Sequence, residues 1–103
     1  MKIKVNQVLK DLKGEDLKAG GEDKEKGLEL KVICTNALLS DNAEIEKIDG
    51  NEKMTRFLLA EKIQKANELD LTVEEITKIK KVIGLFYGPL LVGRAYNALE
   101  GKK

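Results

Sequence analysis

Between Thr72 and Leu99 the chain reads TVEEITKIKKVIGLFYGPLLVGRAYNAL, and this stretch leaves few folds open. Thr72 and Glu75 have capping-box spacing: the Thr72 hydroxyl can accept from the Glu75 amide while the Glu75 side chain reaches back. Leu71 and Ile76 flank them at the two ends of a hydrophobic staple. Ile76, Ile79, Val82, Ile83 and Phe86 then recur at helical spacing, with Lys78 and Lys81 pointing away. Gly84 lies inside that pattern, where a glycine costs roughly 1 kcal/mol relative to Ala, so it marks a place where another element comes close. Gly88-Pro89 stops the helix. Tyr87 and Gly88 close it, and Pro89 suits the first turn of a second one. Leu90, Leu91, Val92, Ala95 and Leu99 form the next apolar stripe, Gly93 offers a second close-approach point, and Gly101 ends it. The expectation is a helix, a short break and a second helix, with the rest of the chain packed over the pair.

Upstream, Leu28 to Leu39 places Leu28, Val32, Thr35 and Leu39 at i, i+4, i+7 and i+11, widened by Leu30, Ile33 and Leu38. That is helical spacing, although LELKVI at its start also reads as a strand. Asn51 to Asn67 is a second amphipathic helix, capped by Asn51 and stopped by Asn67. Its apolar side is Met54, Phe57, Leu58, Leu59, Ile63 and Ala66. Its wet side is Glu52, Lys53, Arg56, Glu61, Lys62 and Lys65, with Glu61 and Lys65 an i, i+4 pair. Glu68 to Leu71 alternates polar and apolar, as a short strand pairing with the N-terminus or as an extended linker.

The N-terminal segment KIKVNQVLK puts Ile3 and Val5 on one face, Val8 out of phase and Leu9 back in phase, which fits a strand bulged near Asn6-Gln7. Gly14 sits where a tight turn needs positive φ, giving a hairpin over residues 1–18 whose apolar side must lie on helices. Residues 19–27, AGGEDKEKG, read as a flexible surface loop; no Lys-Ser/Thr follows at P-loop spacing. Ser40 to Gly50 is polar, tacked down by Ile45 and Ile48, and lacks the EF-hand pattern. With 103 residues the chain reads as one domain: hairpin, loop, and a helical core over 28–101. The fold class expected is α+β and mostly α, a short N-terminal β-hairpin packed on three to four helices.

Composition narrows function. Aromatic residues are 4% and Trp is absent, so the core must be aliphatic. The 19 basic and 18 acidic residues nearly cancel, which weighs against general nucleic-acid binding. Zero His and one Cys leave no zinc site of the usual kind and no His-based acid–base pair. Cys34 lies in an apolar segment and reads as a small buried hydrophobe. Glu74 and Glu75 are explained by the helix start. No catalytic residue, metal or cofactor is expected. No apolar run reaches the roughly 18 residues that span a bilayer, and the N-terminus lacks the apolar core of a signal peptide. The chain reads as soluble and cytoplasmic, with a reduced thiol and no membrane partner.

Two surfaces are candidates. Phe86, Tyr87, Arg94 and Tyr96 straddle the break and are the residue types enriched in protein–protein hot spots, with the tyrosines at a rim, rings buried and hydroxyls wet. Lys78, Lys80, Lys81 and Arg94 form the alternative, a small basic face for nucleic acid.

The segments VLKDLKGEDLK, CTNALLS, GNEKMTRFLLAEKI and LDLTVEEITKIKKVIGLFYGPLLVGRAYNALEG resemble small proteins encoded in tailed phages and prophages. These share a DL-x-G turn, an N-A-L-L segment and a late L-T-x-E-E-I…Y-x-P-L-x-x-G block. The resemblance covers most of the chain. It implies a protein that acts by binding other proteins, while the absence of catalytic sets together with a packed helical scaffold points to a non-enzymatic protein that binds a partner, or itself as a homo-oligomer, through the rim at the break. The roles the resemblance suggests are a virion-assembly helper or an inhibitor of host machinery in the host cytoplasm. It carries over no catalytic residues.

Overall fold

Leu30, Ile33, Cys34, Ala37 and Leu38 are each at most 3% exposed, and all five belong to one nine-residue helix, α1 (Leu30–Leu38). The computed structural model describes residues 1–18, 27–40 and 47–101. Among these, three further helices follow: α2 (Gly50–Gln64), α3 (Val73–Phe86) and α4 (Pro89–Leu99). Two short strands, β1 (Lys2–Lys4) and β2 (Glu68–Asp70), complete the set. The fold class is α+β, mostly α.

The centre is α1, which packs on α2, α3 and α4 alike. This corrects the expectation that α3 and α4 form the middle. Burial is set by how much of a helix's circumference is apolar, and α1 presents apolar groups nearly all round. Its core face is also not the stripe of Leu28, Val32, Thr35 and Leu39: Leu39 is 58% exposed, while Leu30, Ile33 and Leu38 carry the packing. Residues 27–29 are extended, so the helix starts at Leu30. Glu29 makes no side-chain cap. The first amides of α1 instead donate to the N-terminal segment, Leu30 to the Gln7 carbonyl at 2.9 Å and Lys31 to the Val5 carbonyl at 2.7 Å. A helix start needs acceptors for its free N–H groups, and here a distant backbone supplies them.

β1 runs antiparallel to β2, with Ile3 opposite Leu69. The chain turns at Val5-Asn6, where both amides donate to the Asn67 carbonyl. The hairpin lies just beyond. The Leu17 amide donates to the Leu9 carbonyl at 2.9 Å, and Leu28 joins both arms through its own amide and carbonyl. Its turn is held by Asp11, whose Oδ1 accepts from the Lys13 and Glu15 amides, and by Gly14 at φ 87°. Ile3, Val5 and Leu9 point into the core.

Helix ends follow local chemistry. The capping box of α3 is complete: the Glu75 amide donates to Thr72 Oγ1 at 3.0 Å and the Thr72 amide to Glu75 Oε1 at 2.9 Å. Leu71 and Ile76 are both buried beside it. The cap of α2 is Asp49 rather than Asn51, its carboxylate accepting from the Glu52 amide at 2.8 Å. That helix ends at Gln64, three residues before Asn67. Pro89 occupies the first turn of α4 as expected. Gly93 meets nothing within 4 Å, so it marks no close approach. The segments 19–26 and 41–46, with Ile45 and most of the charged loop, lie outside the described residues.

Candidate interaction surface

At the junction of α3 and α4 the backbone leaves the helix abruptly, with Tyr87 at φ −111° and ψ 162°. Tyr87 no longer follows the α3 spiral, and its ring is half-buried against the core. Phe86, the last residue of α3, meets it edge-on at 4.8 Å between ring centres and is itself 46% exposed. Leu85 and Leu90 on either side are 45% and 37% exposed. Burial raises the Tyr87 hydroxyl above its ordinary range, and a hydrogen bond with Asn36 opposes the shift.

The other two members of the expected aromatic set stand elsewhere. Tyr96 is built into the packing of α4 on α3. Its hydroxyl donates to the Lys80 carbonyl at 2.6 Å, and a Cβ placed on Gly84 would lie 2.8 Å from it. Gly84 is therefore the close-approach point expected of it. Arg94 is a strut: its Nη2 donates to the Asp11 carbonyl at 2.6 Å, tying α4 to the hairpin turn. Phe86 and Tyr87 are brought together, and Arg94 and Tyr96 are not.

The basic set is also dispersed. Lys78 does not point away from the fold; it reaches across to Glu52 on α2, at 3.0 and 3.1 Å to its two oxygens. Lys80 pairs with Glu100 at 2.5 Å and lies over the Tyr96 ring at 5.0 Å. Arg94 is taken by the hairpin, and Lys81 is exposed.

Helix α2 holds what the sequence pattern concealed. Met54, Phe57 and Leu58, expected in the core, are 52%, 47% and 51% exposed. Phe57, Leu58 and Leu59 are consecutive and so fan over about 200° of the helix, and a single core contact cannot cover that arc. Leu59 is the one of the three that is buried. That fan was the available signal. Between α1 and α2 lies a groove of about 280 Å³, walled by Leu39 and Phe57 over Thr35 and Ala60. Arg56, read as part of the wet side, is instead only 5% exposed. Its Nε donates to Glu52 at 3.1 Å, and its Nη1 is buried with no hydrogen-bond partner among the described residues. Glu52 thus serves both Lys78 and Arg56, and the Lys78 hydrogen bond chiefly holds its carboxyl below the usual range, with Arg56 adding to the effect.

Cys34 is fully buried, and burial pushes its thiol up to about 12, which makes it a poor nucleophile near neutral pH. Among the described residues, no three of Cys, Asp and Glu converge as metal ligands would. No helix in the same residues is long and apolar enough to cross a membrane. Neither a protein-family model, nor a curated protein, nor a solved structure matches the chain.

Proposed function

We propose that this is a non-enzymatic protein that works by docking onto another protein, through the apolar rim at the α3–α4 break. The observation that carries the reading is the set Leu85, Phe86 and Leu90, left between 37% and 46% exposed around a backbone corner that Tyr87 anchors to the core. An aromatic and two leucines in water forgo the burial free energy their side chains would gain, and rigid aromatic and aliphatic anchors beside a fixed corner are what a partner's pocket accepts. Among the described residues, Glu75 is engaged in the cap, Glu52 in an ion pair and Cys34 in the core. The resemblance to small tailed-phage proteins adds the role, a virion-assembly helper or an inhibitor of a host protein, acting in the host cytoplasm.

The test is photo-crosslinking in the native cell, with benzoylphenylalanine replacing Phe86 and, as control, Leu12 at the hairpin tip, which is 87% exposed. The reading expects one discrete adduct from position 86 and not from position 12. Excess wild-type chain should displace it, and a Phe86→Ala, Leu90→Ala chain should not. Equal labelling from both positions, or equal displacement by both competitors, contradicts it.

A further inference from the structure

The exposed face of α2 carries a charge order that reads the same in reverse with its signs exchanged. Lys53 stands four residues before Phe57 and Glu61 four residues after it, and all three are exposed. Met54 and Leu58 flank Phe57, and the groove walled by Leu39 opens beside it. We infer that this face pairs with the same face of a second copy, the two α2 helices antiparallel about a two-fold axis at Phe57. In that arrangement Lys53 of each copy meets Glu61 of the other, twice by symmetry. Phe57 meets its own counterpart, and Met54 covers the partner helix beside it. A parallel pairing would instead oppose Lys53 to Lys53 and Glu61 to Glu61, so the charge order selects the antiparallel one. An isologous contact of this kind is self-complementary and closes at two copies.

Among the described residues, no ion pair or hydrogen bond joins Lys53 to Glu61. At 1.5 Å rise per residue the two lie about 12 Å apart along the helix, beyond direct contact. Glu61 does approach Lys65 of its own chain at 3.9 Å, but with side chains 46% and 75% exposed that pair is weakly held and yields to an intermolecular partner. The face differs from the rim at the α3–α4 break, so either proposal can fail alone.

Sedimentation of the intact chain over roughly 10 µM to 1 mM, the range in which one small helix pair dissociates, tests it. The expected result is a monomer–dimer equilibrium. Lys53→Glu and Glu61→Lys should each weaken it about tenfold, because two attractions become two repulsions. The Lys53→Glu, Glu61→Lys double variant should restore it. An equimolar mixture of the two single variants should associate at least as tightly as wild type, since every contact is then opposite in sign. Phe57→Ser, with its fold checked by circular dichroism, should dissociate the dimer at least tenfold more readily. A chain that is monomeric throughout overturns the inference, as does a dimer that ignores Phe57→Ser. Charge variants whose mixture behaves like each variant alone overturn it too.

Discussion

Glu52 binds two cations at once, and the consequence is a dependence of stability on pH. Its carboxyl titrates below its usual value, first because Lys78 donates to it and second because Arg56 does. A lowered folded-state value means that the carboxylate adds stability above its ordinary range. That stability drains as pH falls through the lowered value. Denaturant unfolding should therefore show stability dropping below about pH 4.5, and Glu52→Gln should flatten that limb. At neutral pH Glu52→Gln should cost about 2 kcal/mol, because it leaves the buried guanidinium without a charged acceptor. Arg56→Met should cost less, under about 1 kcal/mol, since it removes a buried Nη1 that has no partner among the described residues. The reverse order would mean that Arg56 Nη1 has an acceptor. Gly84 gives a second test at this scale. Gly84→Ala should destabilise, because the new Cβ would meet the Tyr96 hydroxyl at 2.8 Å while that hydroxyl is held by Lys80. In a Tyr96→Phe background the nearest ring atom is 4.0 Å away, so the same substitution should stabilise by up to about 1 kcal/mol through helix propensity.

Among the described elements, α1 touches every other helix, so it should be the most sensitive to truncation. Ile33→Ala should cost about 4 kcal/mol, as a fully buried branched residue with little room to collapse. Leu91→Ala on α4 should cost about half that, since Leu91 is only partly buried. Chemical denaturation of the two variants decides, and equal costs would displace α1 from the centre. Elements whose limits are set by neighbouring residues were legible in the sequence. Thr72 with Glu75, Gly14 in its turn, and Gly88-Pro89 at the break each act over a few residues. What was not legible is set over distance. The start of α1 depends on carbonyls of Val5 and Gln7, more than twenty residues earlier, and no local cap marks it. The pairing of β1 with β2 joins segments more than sixty residues apart, which alternation in Glu68 to Leu71 could suggest but not decide. The candidate site divided along the same line. Phe86 and Tyr87 are neighbours in sequence and meet in space. Arg94 and Tyr96 are also of types enriched in hot spots, but they are absorbed by the hairpin and by α3. Lys78 was assigned outward by its helix phase, but a partner on α2 draws it across.

At the scale of the molecule, an aliphatic interior is closed by α1, while among the described residues two apolar faces, on α2 and at the α3–α4 corner, stay exposed. The two faces mean something only if they are not part of the core. Urea unfolding of a Phe86→Ser, Leu90→Gln chain measures this most directly. Surface positions tolerate such changes, so the loss should stay within about 1.5 kcal/mol, most of it the edge-on contact with Tyr87. A loss of about 4 kcal/mol or more, the size expected when a buried Phe is truncated, would show that the rim belongs to the interior and leave no docking surface at the break.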